Sequence, residues 1–536
     1  MRLVTVEEMQ AIEAEANKNG ITYEEMMQRA GNGLADLIEK YYRTEKSQVA
    51  LGLVGSGNNG GDTLVALTRL AEKGWRAQAY LAKPRSQDDP LIRSLLDTGG
   101  EITSVENDKK LTTLKQWIAG ANICIDGILG TGFKLPLKAD LAEILTLIRD
   151  HAGSCHIVAV DCPSGIDCNT GQCATECIPA EVTVCIEAIK MGLMSFPAYQ
   201  YVGRLEIVPL GFDDKLKNIQ KINTYVATHE WVSSLMPKRP LNAHKGSFGT
   251  VMLVTGSINY TGAALLSAKA AYQIGAGLVR VAVPGPLYTA LAGNLLEATW
   301  LLLPHDAGVI SEDAAELILQ NVERVDAMLI GPGWGQESTT EMFLNQLLTA
   351  DKKKVHKAGI GFVMLDDFKD DKIEHLPPLV IDADALKLLA KIPEWEKKTP
   401  KNSVLTPHPG EMSVLTGLSI REIQSRRIEI AKEYAKRWGQ VVVLKGALTV
   451  VAAPDGICDV IAVATPALAK AGTGDVLAGI ITGLMGQHLN PFDAAVAGVW
   501  IHAQAGLEAA EQIGHPASVL ASDVIDCIPL VLTSLG

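Results

Sequence analysis

Short apolar runs, each closed by glycine, proline or an acidic turn residue and each followed by a helix-like stretch, recur along most of the chain. In the first half the runs are VALGLVG, AQAYLA, NICID, HIVAVD and VTVCIEA, separated by segments such as DTLVALTRLAEKG and LAEILTLIRD. That alternation predicts an open, largely parallel α/β sheet. In such sheets ligands gather at the carboxyl ends of the strands, so the residues just after each run are the ones to inspect.

A chain of 536 residues exceeds the size at which one core keeps growing, which predicts two or more domains. Residues 5–42 carry two helical patterns, with Thr5 and Thr22 placed as N-caps and Glu7 or Glu24 in the first turn. The first series winds down at GRLEIVPLGF, and a polar stretch follows. We expect a domain over 1–213, a linker at 214–224 and a second domain over 225–536. The second domain carries its own series, GTVMLVTG, LVRVAVP, DAMLIGPG, PLVIDAD, SVLTPHPG and QVVVLKG, alike in class to the first but not a repeat of it. Charges of both signs crowd residues 351–378, which read as a solvated insertion without chemistry.

Composition narrows the function classes. A net charge of −13 disfavours a general nucleic-acid or anionic-membrane binder, so phosphorylated ligands would be held by loop amides and helix ends. No apolar run reaches membrane-spanning length, and the first residues carry acids where a secretory signal needs an apolar stretch; a cytoplasmic protein is expected. Of nine cysteines, Cys162, Cys168, Cys173 and Cys177 share one short stretch. It contains no C-x-x-C pair, which favours reduced thiols over a structural zinc site.

The run VALGLVG leads into SGNNGGD and then a helix, putting small residues where a backbone can close around a ligand, although a tight connection alone would also explain it. NICID ends at Asp126 and flows into GILGTGFKLP, and HIVAVD ends at Asp161 and flows into CPSGID. Three loops converging on one sheet edge predict a pocket.

These motifs, with the K-x-G of IKMG, resemble the NAD(P)H-hydrate epimerase family across about the first 210 residues. The resemblance implies a Rossmann-like doubly wound sheet and interconversion of the R and S forms of hydrated nicotinamide cofactors. It implies potassium held by Asn59, Asp126 and Ser164, hard oxygen donors suited to an alkali cation. Cofactor contacts would come from Asn58, Asn59, Gly60, Gly61 and Asp62, and from Gly130, Thr131, Gly132, Phe133, Lys134, Leu135 and Pro136. Asp161 is the candidate proton-transfer group, with a loop-capping aspartate as the alternative. Cys162 stands where that family usually has an aliphatic residue, and a packing role is expected of it.

In the second half, AGTGD at 471–475 opens an apolar helical stretch. The amides of Gly472, Thr473 and Gly474 can cradle an anion, and Asp475 at the edge can take a proton from an acceptor hydroxyl, the helix dipole helping to keep it ionised. Such a loop resembles the ribokinase-like superfamily. Together with LIGPGWG, VIDADAL, LTPHPGEM and VLKGALTVV, it resembles the ADP-dependent (S)-NAD(P)H-hydrate dehydratase family over about 225–536. The resemblance implies phosphorylation of the ring hydroxyl by ADP or ATP with Mg2+, then loss of phosphate, giving NAD(P)H, AMP and phosphate when ADP is the donor.

By the same resemblance, nucleotide contacts fall to Lys445, Gly446, Ala447, Leu448 and Thr449 and to the loop from Thr465 through Ala471, Gly472, Thr473 and Gly474, with Asp475 as the base. Gly333 and the run His408, Pro409, Gly410 and Glu411 would border the nicotinamide. His408 also reads as a turn residue, Lys445 as a surface lysine, and Thr465 and Thr473 as turn caps. Small-molecule substrates and a homo-oligomer are expected. The competing reading is a kinase of vitamin-precursor alcohols with a noncatalytic nucleotide-sensing first half.

Overall fold

The computed structural model describes residues 1–44, 48–86, 88–349 and 376–536. All but the last three residues of the charged stretch 351–378 lie outside that set. The chain divides into two compact units, Met1–Tyr225 and Val226–Gly536. Among the described residues no helix is long and apolar enough to cross a membrane.

The first unit opens with α1 (Val6–Lys18) and α2 (Tyr23–Tyr42). Thr5 accepts from the Glu8 N–H and the Glu8 carboxylate accepts from the Thr5 N–H, a reciprocal cap, while Thr22 accepts from Glu25 N–H. Among the described residues a seven-stranded sheet follows, made of β1 (Val49–Val54), β2 (Arg76–Leu81), β3 (Glu101–Ser104), β4 (Ile123–Gly127), β5 (His156–Val160), β6 (Val182–Ile186) and β7 (Arg204–Val208). They lie in the order β3-β2-β1-β4-β5-β6-β7 with every neighbouring pair parallel. Alternate residues feed opposite faces: Val54, Ile125 and Val160 join one core cluster, and Leu53, Cys124 and Ala159 the other. The order reverses between β1 and β4, and a crevice opens at such a switch point.

Helix α3 (Asn58–Glu72) starts directly beyond β1. A Cβ on Gly60 would come within 2.1 Å of the Gly55 carbonyl oxygen, so only glycine allows the turn to close this tightly. The polar stretch 214–224 holds a helical turn, Lys217–Gln220, whose Lys217 and Asn218 N–H groups each donate to the Glu15 carboxylate at 2.9 Å.

Among the described residues of the second unit the sheet has ten strands, beginning with β8 (Thr224–Val226) at the division between the units. The others are β9 (Thr250–Val254), β10 (Leu278–Pro284), β11 (Thr299–Leu303), β12 (Ala327–Ile330), β13 (Leu379–Ile381), β14 (Val404–Leu405), β15 (Val441–Leu444), β16 (Val450–Ala452) and β17 (Cys458–Val460). Their order is β11-β10-β9-β12-β13-β14-β15-β16-β17-β8. The pairs from β11 through β15 are parallel; β15 to β17 are antiparallel. Helices α4 (Gly262–Gln273), α5 (Pro409–Thr416), α6 (Thr473–Gly486), α7 (Pro491–Ile513) and α8 (Ala521–Leu535) include the main helical cover. Nearly every residue of α6 is buried, as expected of a helix apolar all round.

Candidate active sites

In the first unit the loops after β1, β4 and β5 meet at the switch point. Asn59 Nδ2 donates to the Val160 carbonyl at 2.6 Å and to the Leu129 carbonyl at 3.3 Å, tying the first loop to the other two. Ser164 donates both its hydroxyl (2.6 Å) and its N–H (2.8 Å) to Asp126, and its Oγ accepts from Leu129 N–H at 3.0 Å. Burial raises the Asp126 carboxyl above its ordinary range, while the Ser164 hydrogen bonds oppose the rise. Asn59, Asp126 and Ser164 are thus joined through a small set of hydrogen bonds. They and the neighbouring carbonyls offer oxygen and no sulfur or imidazole, a donor set that fits an alkali cation.

Asp161 stands just beyond β5 at φ +64, a left-handed conformation uncommon outside glycine. Its carboxylate accepts from Ile186 N–H at 3.0 Å and from the Lys190 ammonium. Lys190 is 2% exposed, and its Nζ also donates to the carbonyls of Ile186 and Ala188, 3.1 Å each. Burial opposes the lysine's charge most strongly, but its neighbours, Asp161 first, together outweigh it and the net direction is upward. Asp62, buried beside them, holds its proton well above the usual carboxylate range, chiefly through burial and then through Asp161 and Glu13. Glu13 is raised by burial as well. Glu13, Asn58, Asp62, Met27 and Tyr23 line a cavity of about 430 Å³.

The sequence reading did not assign roles to Lys190 or Glu13. IKMG carried a signal for the lysine; nothing in the helical pattern of α1 marked the glutamate. The Gly130–Pro136 loop divides: a Cβ on Gly130 would lie 2.6 Å from Asn59 Oδ1, whereas Leu135 and Pro136 border a separate cavity of about 390 Å³. Thr131, Gly132, Phe133 and Lys134 between them are exposed or half-buried.

In the second unit four neighbouring strands deliver residues from their carboxyl ends: β12 gives the Gly331–Gly335 turn, β13 gives Asp382, β14 leads to His408, and β15 to Lys445. Lys445 Nζ lies 2.5 Å from Asp382 Oδ1 and 3.8 Å from Glu411 Oε2. Asp382, 1% exposed, also accepts from the Thr406 hydroxyl at 2.7 Å. A Cβ on Gly474 would sit 3.7 Å from Lys445 Nζ and 4.0 Å from Asp382 Oδ2, so the start of α6 closes directly over this ion pair. Lys445 is therefore not a surface lysine: burial works against its charge, and Asp382 and Glu411 reverse the balance.

Asp475 is the third residue of α6. Burial, and then the Asp382 carboxylate, push its carboxyl up to about 7, against the pull of Lys445. The helix dipole, expected to help keep it ionised, is outweighed by loss of water and a like charge, since it is usually worth only about 0.3–1 kcal/mol. A carboxyl balanced near neutrality suits proton abstraction better than a strongly acidic one. Glu411 is likewise raised to about 7, by burial.

His408 caps α5: its Nδ1 accepts from Gly410 N–H at 3.0 Å and from Glu411 N–H at 3.4 Å, and the Glu411 carboxylate accepts from His408 N–H at 2.9 Å. Burial and then Lys445 lower its basicity, in keeping with a neutral capping ring. Thr473 donates to the Leu468 and Lys470 carbonyls, Thr465 accepts from Ala467 N–H, and Thr449 donates to the Gly446 carbonyl, so all three hydroxyls serve local turns. Gly446 and Leu448 take positive φ, Ala447 is exposed, and Gly333 packs on Tyr260 and Ala263 at the start of α4. Asp382 lay within VIDADAL in the sequence, but its role depends on a partner 63 positions away.

The sequence profile described as NAD(P)H-hydrate dehydratase matches residues 251–530, and that of the YjeF-related protein N-terminus matches residues 23–192. The chain is 36% identical to the bifunctional NAD(P)H-hydrate repair enzyme Nnr of Moorella thermoacetica, over all of this chain and 97% of that one. It is 33% identical to the Escherichia coli protein of the same name, over 96% of this chain and 90% of that one. A crystal structure of an ADP/ATP-dependent NAD(P)H-hydrate dehydratase from Bacillus subtilis, co-crystallised with ATP/Mg2+, shares 32% identity over 59% of this chain and 99% of its own, with a TM-score of 0.48.

Proposed function

The chain belongs to the family of bifunctional NAD(P)H-hydrate repair enzymes, and on that premise we propose that each unit performs one of the two reactions. Residues 1–213 interconvert the R and S hydrates. Residues 225–536 dehydrate the S form at the expense of a nucleoside diphosphate, with 214–224 joining the two. The reading rests on one observation above the rest: the mouth of α6 sets a carboxyl balanced near neutrality over a half-buried lysine paired to Asp382.

For dehydration, the ring hydroxyl gives its proton to Asp475 as its oxygen attacks the terminal phosphoryl of ADP, releasing AMP. The amides of Gly472, Thr473 and Gly474, with Lys445, balance the charge that develops on the phosphoryl. The C–O bond of the phosphate ester then breaks, helped by the ring nitrogen, and loss of the neighbouring ring proton restores the double bond. Mg2+ would enter with the nucleotide, held mostly by phosphate oxygens and water and supplying charge neutralisation there, with Asp475 and Asp382 as the nearest carboxylates. Glu411 and His408 shape the nicotinamide side.

For epimerisation, the hydroxyl must leave one face of the hydrated carbon and water must return to the other. Asp161, steadied by Lys190, exchanges the proton, and Asp62 supports it as a carboxyl that keeps its own. Asn59, Asp126 and Ser164 would hold potassium, which would supply a positive charge between the loops there. A cytoplasmic homo-oligomer completes the reading, its free thiols suiting a reducing compartment.

A mixture of purified R and S hydrates tests both activities. With ADP and magnesium the absorbance of reduced nicotinamide should return in full, faster than spontaneous epimerisation allows. Recovery that stops at the S fraction would remove the epimerase assignment, and no recovery with either ADP or ATP would remove the dehydratase assignment. A kinase of vitamin-precursor alcohols would instead leave a stable phosphate ester.

A further inference from the structure

The cysteine-rich turn beyond Asp161 has no part in either reaction as derived above. Its thiols form two pairs. Cys162 and Cys168 interact with each other and are sealed, at 0% and 3% exposure. Cys173 and Cys177 form the second pair, on either side of a turn that the Cys177 N–H closes onto the Ala174 carbonyl at 3.3 Å, and here the two partners differ. Cys177 is 1% exposed, whereas Cys173 keeps open surface and lines the cavity of about 390 Å³ together with Pro136 and Glu176. A reagent of modest size can therefore reach Cys173 but none of the other three.

The second pair is also wired to the switch-point loops. The Ala174 N–H donates to the Gly165 carbonyl at 2.9 Å, and Cys173 makes an isolated bridge with Ile166, which lays the 173–177 turn along residues 164–166. Cys177 Sγ donates to the Ser164 carbonyl at 3.4 Å. Ser164 is the residue whose N–H and hydroxyl both grip Asp126.

We propose that Cys173 and Cys177 form a reversible dithiol–disulfide modification site, oxidised by a hydroperoxide that enters the Cys173 cavity, and that the disulfide slows the reaction of the first unit. The second clause rests on the epimerase reading; the first does not.

The chemistry closes with two electrons. The Cys173 thiolate attacks the peroxide's outer oxygen, the O–O bond breaks, and Cys173 becomes a sulfenic acid while the departing alkoxide takes a proton. Cys177 then attacks the Cys173 sulfur: the S–S bond forms, the S–O bond breaks, and the Cys177 proton leaves with the hydroxyl as water. The two thiols are oxidised and the peroxide is reduced to an alcohol and water. Open surface on Cys173 suits an attacking thiolate, and the sealed Cys177 four residues on suits its resolving partner. Disulfide formation removes the S–H that Cys177 gives to the Ser164 carbonyl. A buried acceptor is thereby left short of its donor, next to the residue that positions Asp126.

The test treats the reduced full chain with an alkyl hydroperoxide and maps its peptides by mass spectrometry. We expect Cys173 linked to Cys177 with Cys162 and Cys168 still free, reversal by a dithiol reductant, and in Cys177→Ser a Cys173 sulfenic acid that a cyclic dione traps. Epimerisation should fall severalfold on oxidation and recover on reduction, while dehydration of pure S hydrate stays constant. A free Cys173 after treatment, or oxidation first at Cys162 and Cys168, overturns the site. A mapped disulfide with unchanged epimerisation overturns the regulatory clause alone. A fully reduced chain that never epimerises the hydrates sinks the epimerase reading, and the peptide map still decides the site.

Discussion

Replacing Asp475 by asparagine separates a catalytic carboxylate from a helix cap. Asparagine keeps the shape and hydrogen-bonding reach at the third position of α6 and leaves the cradle amides and the Lys445–Asp382 pair in place, but it cannot accept the hydroxyl proton. Loss of general-base assistance costs about 10²–10⁴ in turnover, or roughly 3–5 kcal/mol of transition-state stabilisation. Stability should move the other way. The folded-state carboxyl sits near 7 against an ordinary 3.8, so the folded protein binds this proton more tightly than the unfolded chain. The resulting contribution is fully present below the unfolded value and is lost as pH rises through about 7, at a ceiling of roughly 4 kcal/mol before solvent screening. Asp475→Asn should therefore melt higher than the parent at pH 8, and the gap should close near pH 4. The parent's dehydration rate should rise with pH through about 7 and level off above it. The assay pairs thermal melts at the two pH values with dehydration of S hydrate under saturating ADP. Near-parental turnover, or a variant less stable than the parent at pH 8, would refute the argument.

Three further outcomes follow from the same geometry. Lys445→Met should destabilise the second unit by about 3–5 kcal/mol, because Asp382 would be left buried without its partner; adding Asp382→Asn should restore much of the melting temperature but not the dehydration, and a double variant no more stable than the single one would contradict this. Asp161→Ala should halt enzyme-driven epimerisation while pure S hydrate is still dehydrated at the parental rate, a split that a coupled assay on single epimers resolves directly. Exchanging potassium for a bulky organic cation should slow epimerisation and leave dehydration unchanged, and full epimerase activity without any alkali metal would count against cation binding by Asn59, Asp126 and Ser164.

Much of this protein could be read from local pattern. Strand-length apolar runs alternating with helical stretches specify parallel α/β sheets, because both the strand period and the connection between parallel strands are properties of contiguous sequence. Thr5 and Thr22 as caps and the glycine turn at Gly60 are equally local, since a cap or a tight turn is settled within a few residues. The loops that carry Asp161, Lys445 and Asp475 were visible for the same reason. Their partners were not: Lys190 reaches Asp161 across 29 positions, Lys445 reaches Asp382 across 63, and Asp475 takes its charge environment from both members of that second pair. Parallel strands bring such residues together only when the sheet assembles, and burial in that assembly raised the Asp475 carboxyl that a reading of its helix alone would leave ionised. Local sequence determined where the reactive groups stand in the chain; tertiary packing decided which neighbours they face and how tightly they hold their protons, because desolvation and charge act through space.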